Sequence, residues 1–414
     1  MSEDKNILII GGGISGISTA LEAAETGYKV VLVEKEAYLG GRVARMNKYF
    51  PKVCPPYCGL EINFRRIKQN PLITCYTLSE VTDISGAPGD FQVSIKVLPR
   101  YVNEKCTVCG DCEKVCESTR KNDFNFGLNT SKAIYLPHEM AFPYRYVLDK
   151  EACSDEDQGK VVQACKYEAI DLNMEPQEIK VKAGAIVMAT GWKPYDASRI
   201  DNLGFGKFRN VITNAMMERL ASPGGPTAGK ILRPGDNREV KKVAFVQCAG
   251  SRDENHMPFC SSVCCLASLK QAGYVREQNP DSRAYIFYID VRAQGKFEDF
   301  YAKTKEDENI ILKKGKVARI EEDASSGDLT VEAEDILSGN KQRETVDLVV
   351  LATGMQPQGI NGTGEVVQYD ENGFVLNSES VYAAGCVKRP SDVAKAIQDA
   401  TGTALKAIQD VIKA

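Results

Sequence analysis

The feature that most restricts the fold of this 414-residue chain is a glycine fingerprint, Gly11-x-Gly13-x-x-Gly16. A continuous apolar run at residues 5–10 precedes it, and an amphipathic segment at 17–25 follows it. Strand, tight turn and helix in this order are typical of a dinucleotide-binding unit, in which glycines let the backbone approach a pyrophosphate at the helix N-terminus. The pattern therefore predicts a nucleotide site.

An acidic residue completes this unit. A second apolar strand is predicted at residues 29–33 and ends at Glu34, 18 residues past Gly16. An acid at this spacing accepts hydrogen bonds from a ribose 2′-hydroxyl. The unit alone leaves the choice between FAD and NAD open.

Composition describes an ordinary multidomain protein. Its 43% hydrophobic residues, 26% charged residues and net charge of −4 lack the basic excess that nucleic acid or anionic lipid would favour. No apolar run approaches the length of a membrane span, and no leader pattern is present, so we expect a cytoplasmic chain. Only two histidines are available for acid–base chemistry or metal binding.

Fourteen cysteines without a secretion signal indicate metal ligands rather than disulfides. Cys106, Cys109, Cys112 and Cys116 match the C-x2-C-x2-C-x3-C run of bacterial ferredoxins, although Glu117 replaces the usual proline. The run lies between predicted strands at 91–97 and 177–182, which look like consecutive partners in one β-meander. The sequence therefore predicts a ferredoxin-like insertion.

The second cysteine run of this insertion is degenerate. Cys153 and Cys165 remain, but residues 154–162 contain no cysteine. Because the fourth cysteine of each run ligates the other run's cluster in two-cluster ferredoxins, we predict one [4Fe–4S] cluster with Cys165 as its fourth ligand. Cys116 is the alternative fourth ligand, and zinc is the alternative metal. The predicted ligands are Cys106, Cys109, Cys112 and Cys165.

A second cysteine set stands where another glycine fingerprint would bind NAD(P)H. The predicted strand at 242–247 leads into Cys248-Ala-Gly-Ser-Arg-Asp253 and then Cys260, Cys264 and Cys265. Four thiolates at C-x11-C-x3-C-C satisfy one [4Fe–4S] cluster, with zinc or buried thiols as alternatives. We therefore predict electron transfer through a cluster and no oxidation of NAD(P)H.

Two further features are left with alternatives. Lys270 lies on a helix predicted at 263–272, either as a solvated lysine or as a cation that stabilises reduced flavin. Cys54 and Cys58 form a C-x3-C pair that is either structural or redox-active, and no nearby charge pattern favours a lowered thiol pKa.

Several motifs together resemble the thioredoxin-reductase-like two-dinucleotide-domain flavoproteins. They are the fingerprint, Glu34-Lys35, Gly40-Gly41-Arg42, strands ending in Ala-Thr-Gly at 185–191 and 348–354, and Ala383-Ala384-Gly385 before a helix at 391–413. The resemblance implies an α/β fold in which the first fingerprint takes FAD. That family has Gly-Asp where this chain has Gly385-Cys386, which puts the ribityl contact in doubt.

The domain and site predictions follow from this resemblance. The expected order is a FAD-binding domain at 1–100, the ferredoxin-like insertion at 101–175, the FAD-binding domain again at 176–200, a degenerate NAD-type domain at 201–347, and the last FAD-binding part at 348–414. The expected FAD-binding residues are Gly11, Gly13, Ile14, Ser15, Gly16, Glu34, Lys35, Gly41, Arg42, Val81, Ala189, Thr190, Gly191, Gly354, Gly385, Cys386 and Ala394.

With both cysteine sets included, nearly the whole chain resembles the A subunit of heterodisulfide reductase. Because this chain stops after its closing helix and has one degenerate ferredoxin run, it looks most like the A subunit of the quinone-interacting membrane-bound oxidoreductase complex of sulfate reducers. The partners that this resemblance implies are a flavin–iron–sulfur B subunit, adenylylsulfate reductase and a haem-containing membrane subunit. It also implies a place at the cytoplasmic face of the inner membrane, held there by those partners, and a lysine near the flavin at Lys270.

Three functions follow as hypotheses. The first is an electron-transfer subunit with FAD and two [4Fe–4S] clusters, which relays electrons and in one version bifurcates or confurcates them. The second is a free-standing flavin-dependent disulfide or NAD(P)H oxidoreductase, and the third is a scaffold with vestigial cofactors.

Overall fold

The computed structural model describes residues 6–50, 53–335 and 338–413, so Lys5 of the predicted first strand and the terminal Ala414 lie outside it. The strands are β1 Asn6–Ile10, β2 Val30–Val33, β3 Ile73–Tyr76, β4 Ser79–Ala87, β5 Asp90–Val97, β6 Thr119–Lys121, β7 Thr130–Lys132, β8 Ile134–Tyr135, β9 Val147–Leu148, β10 Gln177–Met188, β11 Trp192–Pro194, β12 Val211–Thr213, β13 Lys242–Ala249, β14 Arg283–Tyr288, β15 Ile310–Glu322, β16 Leu329–Asp335, β17 Lys341–Val346, β18 Leu348–Thr353, β19 Met355–Pro357 and β20 Val381–Ala383. The α-helices are α1 Ile14–Glu25, α2 Gly41–Ala44, α3 Tyr57–Gln69, α4 Asp111–Val115, α5 Asp155–Ala164, α6 Asn214–Ala221, α7 Cys264–Gln278, α8 Phe297–Lys305 and α9 Val393–Lys413.

A seven-stranded sheet holds the glycine fingerprint. Its order is β3-β2-β1-β10-β5-β4, and β20 pairs with β10 off this path. The predicted partnership of the strands at 91–97 and 177–182 is confirmed, because β5 and β10 pair antiparallel. The two strands predicted at 177–182 and 185–191 are instead one strand: β10 pairs with β5 through Ala183 and with β1 from Ala183 onward, without an intervening turn.

A second seven-stranded sheet has the order β12-β18-β13-β14-β15-β16-β17. The prediction that residues 348–354 return to the FAD-binding part is wrong, because β18 pairs in parallel with β12 and β13 inside this second sheet. Its six residues are all buried, as expected for a strand covered on both faces. Chain order alone does not show which sheet such a strand joins.

Helices cover the first sheet at the fingerprint. Helix α1 packs beside α9, and the Thr19 hydroxyl lies 3.4 Å from the Ala400 carbonyl. Small buried residues of α9, Ala400, Ala404 and Ala407, allow this close approach. The predicted helices at 17–25, 263–272 and 391–413 are present as α1, α7 and α9, and each starts or ends a few residues from its predicted bound.

The segment between β5 and β10 forms its own small core of buried residues around α4 and α5. An isolated bridge between Val102 and Ile170 closes its base. There Asn103 N donates to Ala169 O at 2.7 Å, and Asp171 N donates to Tyr101 O at 3.0 Å. Within the described ranges, no helix is both long and apolar enough to cross a membrane.

Candidate cofactor sites

A cavity of about 560 Å³ runs from the glycine loop to the N-terminal half of α7. This volume suits a ligand of cofactor size. The predicted residues that line it are Gly11, Gly13, Ile14, Ser15, Glu34, Lys35, Gly41, Arg42, Val81, Ala189, Thr190, Gly191, Lys270 and Cys386. One continuous space therefore joins the fingerprint to Lys270, 254 positions beyond Gly16 in the chain.

Four predicted FAD residues do not line the cavity. A Cβ on Gly16 would lie 1.8 Å from Gly11 O, so Gly16 serves the contact between the loop and α1. Gly354 faces Ser251 in the loop after β13, and a Cβ on Gly385 would lie 2.1 Å from Ser15 Oγ. Ala394 is on α9, but the residues of that helix that line the cavity are Val393 and Ala396. These four predictions of direct lining are wrong, because each residue packs against protein.

The glycine loop fits a pyrophosphate. A Cβ on Gly13 would meet no atom within 4 Å, so the space that a side chain would fill is open to the cavity. Gly13 is also the N-cap of α1, and no side chain caps this helix. Uncapped N–H groups and the positive end of the helix dipole attract an anion. The residues present at the fingerprint thus fit the phosphates of FAD.

Glu34 lies at the end of β2, as predicted, and is buried. Its carboxylate accepts hydrogen bonds from Gly12 N at 2.6 Å and Glu36 N at 2.7 Å. Burial raises the pKa of this carboxyl to about 7, against the lowering effect of those two N–H groups. A ribose hydroxyl would supply a further donor to the ionised form.

The cavity wall near α9 contains a carboxylate that the sequence did not predict. Cys386 lines the cavity, and its thiol donates to Ser391 O at 3.4 Å. Burial raises the pKa of this thiol to about 11, so it is a neutral group at pH 7. Asp392 lies on the same wall, with its side chain only 7% exposed, and accepts from Lys395 N at 2.9 Å. Asp392 is therefore the candidate for the ribityl contact that Cys386 cannot make as an acid.

Other lining residues were also missed. They are long-range neighbours brought by separate elements: Tyr38, Arg45, Met46, Phe50, Trp192 and residues 358–362. Arg42 and Arg45 lie beside each other, and burial, followed by repulsion from Arg45, lowers the pKa of Arg42 to about 10. Arg42 Nε donates to Trp192 O at 3.1 Å. The Gly-Gly-Arg motif gave a signal for Arg42 but none for Arg45 or Trp192.

Helix α7 joins the cavity to the second cysteine set. Val263, Leu266, Ala267 and Lys270 line the cavity, with the spacing of one helix face. Cys264 and Cys265 occupy the first turn of the same helix, and Cys264 Sγ lies 3.9 Å from Thr353 O in the neighbouring strand. One helix thus presents two thiols on one side and the cavity wall on another.

Lys270 is a buried residue, 6% exposed, so its interpretation as a solvated lysine is wrong. Its ammonium donates to Lys48 O at 2.5 Å and pairs with Glu218 Oε1 at 2.9 Å. Glu218 also accepts from Gln271 Nε2 at 2.6 Å and from Asn47 N at 3.1 Å. Glu218 gave no signal in the sequence, because it lies on a different helix, α6.

The thiols of Cys248, Cys260, Cys264 and Cys265 come together at the start of α7. Burial raises the pKa of the Cys264 thiol, and the three neighbouring thiols raise it further. Cys248 has φ 57° and Ser262 has φ 62°, a left-handed conformation that costs energy in residues other than glycine. Such strain is common where a backbone is shaped around a bound group.

The thiols of Cys106, Cys109, Cys112 and Cys165 line a second, small cavity of about 20 Å³ in the inserted segment. Burial raises the pKa of Cys112 to about 12, and the other three thiols raise it further. Cys165 Sγ accepts from Ala169 N at 3.3 Å. Among the described residues, no group of three or more His, Cys, Asp or Glu side chains converges on a single-ion site. Four thiols around one cavity fit the ligand number of a [4Fe–4S] cluster.

The other two insertion cysteines do not line this cavity. Cys116 and Cys153 are buried beside each other, and Cys116 Sγ lies 3.9 Å from Asp157 Oδ2. Burial raises the pKa of Cys153 to about 12, and the Cys116 thiol raises it further. Cys54 and Cys58 lie elsewhere, at the start of α3, where the thiol of Cys54 bonds to Tyr49.

The family profile described as DAO, FAD dependent oxidoreductase, matches residues 6–48. Two solved structures share the fold over the whole chain. Thioredoxin reductase from T. acidophilum has a TM-score of 0.54 at 16% identity, covering 99% of this chain and 100% of its own. Bacillithiol disulfide reductase from Bacillus cereus has a TM-score of 0.54 at 13% identity, covering 100% of both chains. The predicted fold class is confirmed: this is a two-dinucleotide-domain, thioredoxin-reductase-like flavoprotein.

Curated relatives place the chain more narrowly. The A subunit of the ferredoxin/F420H2-dependent CoB–CoM heterodisulfide reductase of Methanosarcina acetivorans is 38% identical, over 98% of this chain and 53% of its own length. The first of the iron–sulfur A subunits of CoB–CoM heterodisulfide reductase in Methanopyrus kandleri is 37% identical, over 98% of this chain and 64% of its own. The chain belongs to the family of heterodisulfide reductase A subunits, which makes it an oxidoreductase subunit. It spans between about half and two thirds of the length of these relatives.

Proposed function

We propose that the chain is an electron-transfer subunit that holds FAD in the large cavity and two [4Fe–4S] clusters on its two cysteine sets. The observation that carries the proposal is α7, whose first turn bears Cys264 and Cys265 while Val263, Leu266, Ala267 and Lys270 form the cavity wall. FAD is supported by the match of the FAD-dependent oxidoreductase profile to residues 6–48. Iron–sulfur clusters are supported by the description of the Methanopyrus relative as an iron–sulfur subunit.

The residues have distinct roles in this proposal. Gly13 and the N–H groups at the start of α1 bind the pyrophosphate, and Glu34 binds a ribose. Lys270, held by Glu218, places a cation at the wall opposite the glycine loop. FAD supplies the exchange between one-electron and two-electron chemistry, and the clusters supply one-electron transfer. The protein excludes water and holds the thiolates.

The insertion set is proposed as Cys106, Cys109, Cys112 and Cys165, because these four thiols line one cavity while Cys116 and Cys153 pack against each other. The proposed division into a FAD-binding part, an insertion and a cluster-bearing second part keeps the predicted order, with the strand β18 in the second part.

An anaerobic reductive titration tests this function. The proposal expects NADH to leave the flavin oxidised, while dithionite bleaches both the flavin and the broad cluster absorbance. Bleaching by NADH would instead support a free-standing NAD(P)H oxidoreductase. Isolation of folded protein without flavin and iron would support a scaffold with vestigial cofactors.

The finer proposal concerns the complex. We infer that the chain belongs to a quinone-interacting assembly at the cytoplasmic face of the inner membrane, with a flavin–iron–sulfur B subunit, a haem-containing membrane subunit, and adenylylsulfate reductase. The degenerate insertion, which has cysteines for one cluster only, supports this choice within the family. Affinity purification of the tagged chain from its own cells is the test. Co-purifying haem and quinol-dependent reduction of adenylylsulfate reductase are expected, and an assembly that instead reduces CoB–CoM heterodisulfide would contradict it.

A further inference from the structure

Two charged side chains lie directly beside the Cys248 set. The Arg252 guanidinium pairs with the Asp290 carboxylate through Nη1 and Oδ1. The same guanidinium lies within hydrogen-bonding reach of the Cys248 thiol. On the other side of the pair, Cys265 Sγ donates to Asp290 O at 3.6 Å. The cation and the anion are thus next to two different sulfurs of one set.

These two charges act in opposite directions on the sulfurs. Burial is the main cause of the raised pKa of Cys248, and the Arg252 charge opposes it by favouring the thiolate. Burial also raises the pKa of Cys265, and the Asp290 charge raises it further. Arg252 therefore stabilises negative charge on the sulfurs, and Asp290 destabilises it.

The backbone fixes Arg252 at this place. Arg252 has φ 58°, a strained left-handed conformation. Its N–H donates to Phe259 O at 3.1 Å, and the next N–H, of Asp253, donates to Met257 O at 3.1 Å. The side chain is 25% exposed, so its charge is only partly screened by solvent.

We propose that Arg252 and Asp290 set the reduction potential of the cluster on Cys248, Cys260, Cys264 and Cys265, the guanidinium raising it and the carboxylate lowering it. Reduction adds one electron to a cluster, so a nearby cation stabilises the reduced state and a nearby anion destabilises it. Arg252 and Asp290 are positioning residues, and the inference rests on the proposed function, because it requires the Cys248 set to hold a cluster.

The test uses the anaerobically purified full chain in four variants: Arg252→Gln, Arg252→Lys, Asp290→Asn and Lys316→Gln. The cluster signal that Cys264→Ser abolishes is followed by electron paramagnetic resonance during a redox titration. At a fixed solution potential, Arg252→Gln is expected to lower the reduced-to-oxidised ratio about tenfold, which is about 59 mV for one electron. Asp290→Asn is expected to raise the ratio, and Arg252→Lys is expected to stay near the wild type.

Lys316→Gln is the matched control. Lys316 pairs with Asp253 Oδ2 at 3.1 Å, one residue from Arg252, but its side chain is 66% exposed. Removing the same charge from this screened position is expected to move the ratio less than twofold.

The possible failures are distinguishable. Wild-type chain with flavin but no iron at the Cys248 set contradicts the proposed function. Full iron with unchanged potentials, or shifts of the same sign in Arg252→Gln and Asp290→Asn, overturns the inference and leaves the proposed function standing. If Arg252→Gln loses the cluster, Asp290→Asn decides: a raised potential supports the inference, and an unchanged or lowered one contradicts it.

Discussion

Lys270 and Glu218 form a buried ion pair, with 2.9 Å between Nζ and Oε1, at the wall of the large cavity. Both residues are 6% exposed. Because the two partners come from α7 and α6, the pair ties the helix that bears Cys264 and Cys265 to its neighbour. A cation placed at the proposed flavin site is thus held by a carboxylate behind it.

Lys270→Met is expected to lower the free energy of unfolding by about 3–5 kcal/mol, because Glu218 would remain buried without its partner. The double variant Lys270→Met/Glu218→Gln is expected to recover much of this loss. Chemical denaturation of the four members of the cycle measures the coupling. Arg65→Met is the control, since its pair with Glu61 is exposed and is worth less than about 1 kcal/mol. Additive single changes at Lys270 and Glu218 would rule out the coupling.

Gly13→Ala and Gly16→Ala separate FAD binding from folding. A Cβ on Gly13 enters open cavity space, and the backbone angles of φ −74° and ψ −175° suit alanine. We expect a chain that folds with unchanged stability but retains at least about tenfold less FAD. A Cβ on Gly16 lies 1.8 Å from Gly11 O, so Gly16→Ala is expected to lose about 1–3 kcal/mol of stability even without FAD. Flavin absorbance per protein and apo-protein denaturation measure the two effects, and equal FAD retention in Gly13→Ala and the wild type would refute the assignment.

FAD affinity should depend on the protonation of Glu34. Burial raises its pKa from 4.5 to about 7 in the folded chain, so the stability contributed by the neutral acid is present below pH 4.5 and is lost as the pH rises through 7. A ribose hydroxyl donates to the ionised form, so FAD affinity should rise from about pH 5 to about pH 8, by up to tenfold per unit below the pKa. Glu34→Gln should bind more weakly and remove this slope. Titration of the apo-protein with FAD at several pH values checks it, and a slope that persists in Glu34→Gln would exclude Glu34 as its source.

Cys165→Ser and Cys116→Ser distinguish the two candidate fourth ligands of the insertion cluster. Cys165 lines the small cavity with Cys106, Cys109 and Cys112, whereas Cys116 packs beside Cys153. Cys165→Ser is therefore expected to lose about half of the bound iron, and Cys116→Ser is expected to keep it. Iron analysis of both variants, purified without oxygen, is the measurement. The reverse pattern would make Cys116 the ligand.

Local patterns were enough to predict the first nucleotide-binding unit. The apolar runs of β1 and β2, the glycines between β1 and α1 and the acid at Glu34 all lie within 35 residues, and each follows from its immediate neighbours. The cysteine spacings likewise predicted which thiols come together in both sets. The pairing of β5 with β10 followed from their alternating patterns on either side of the insertion.

Features that depend on distant segments could not be predicted. Strand β18 resembles the inner part of β10, because both are continuous buried runs, and only tertiary packing decides that β18 joins the second sheet. Glu218 and Asp392 carry no motif and reach their places through the packing of α6 and the cap of α9. Ala394 was assigned to the cavity, but the phase of α9 presents Val393 and Ala396 instead.

The central claim is that FAD lies beside a cluster held by the first turn of α7. The most direct test is the iron-to-flavin ratio of the anaerobically purified chain, compared with that of Cys264→Ser. The account predicts about eight iron atoms per FAD in the wild type, and about four in Cys264→Ser with the flavin retained. A wild-type chain with flavin and only about four iron atoms, unchanged by Cys264→Ser, would contradict it.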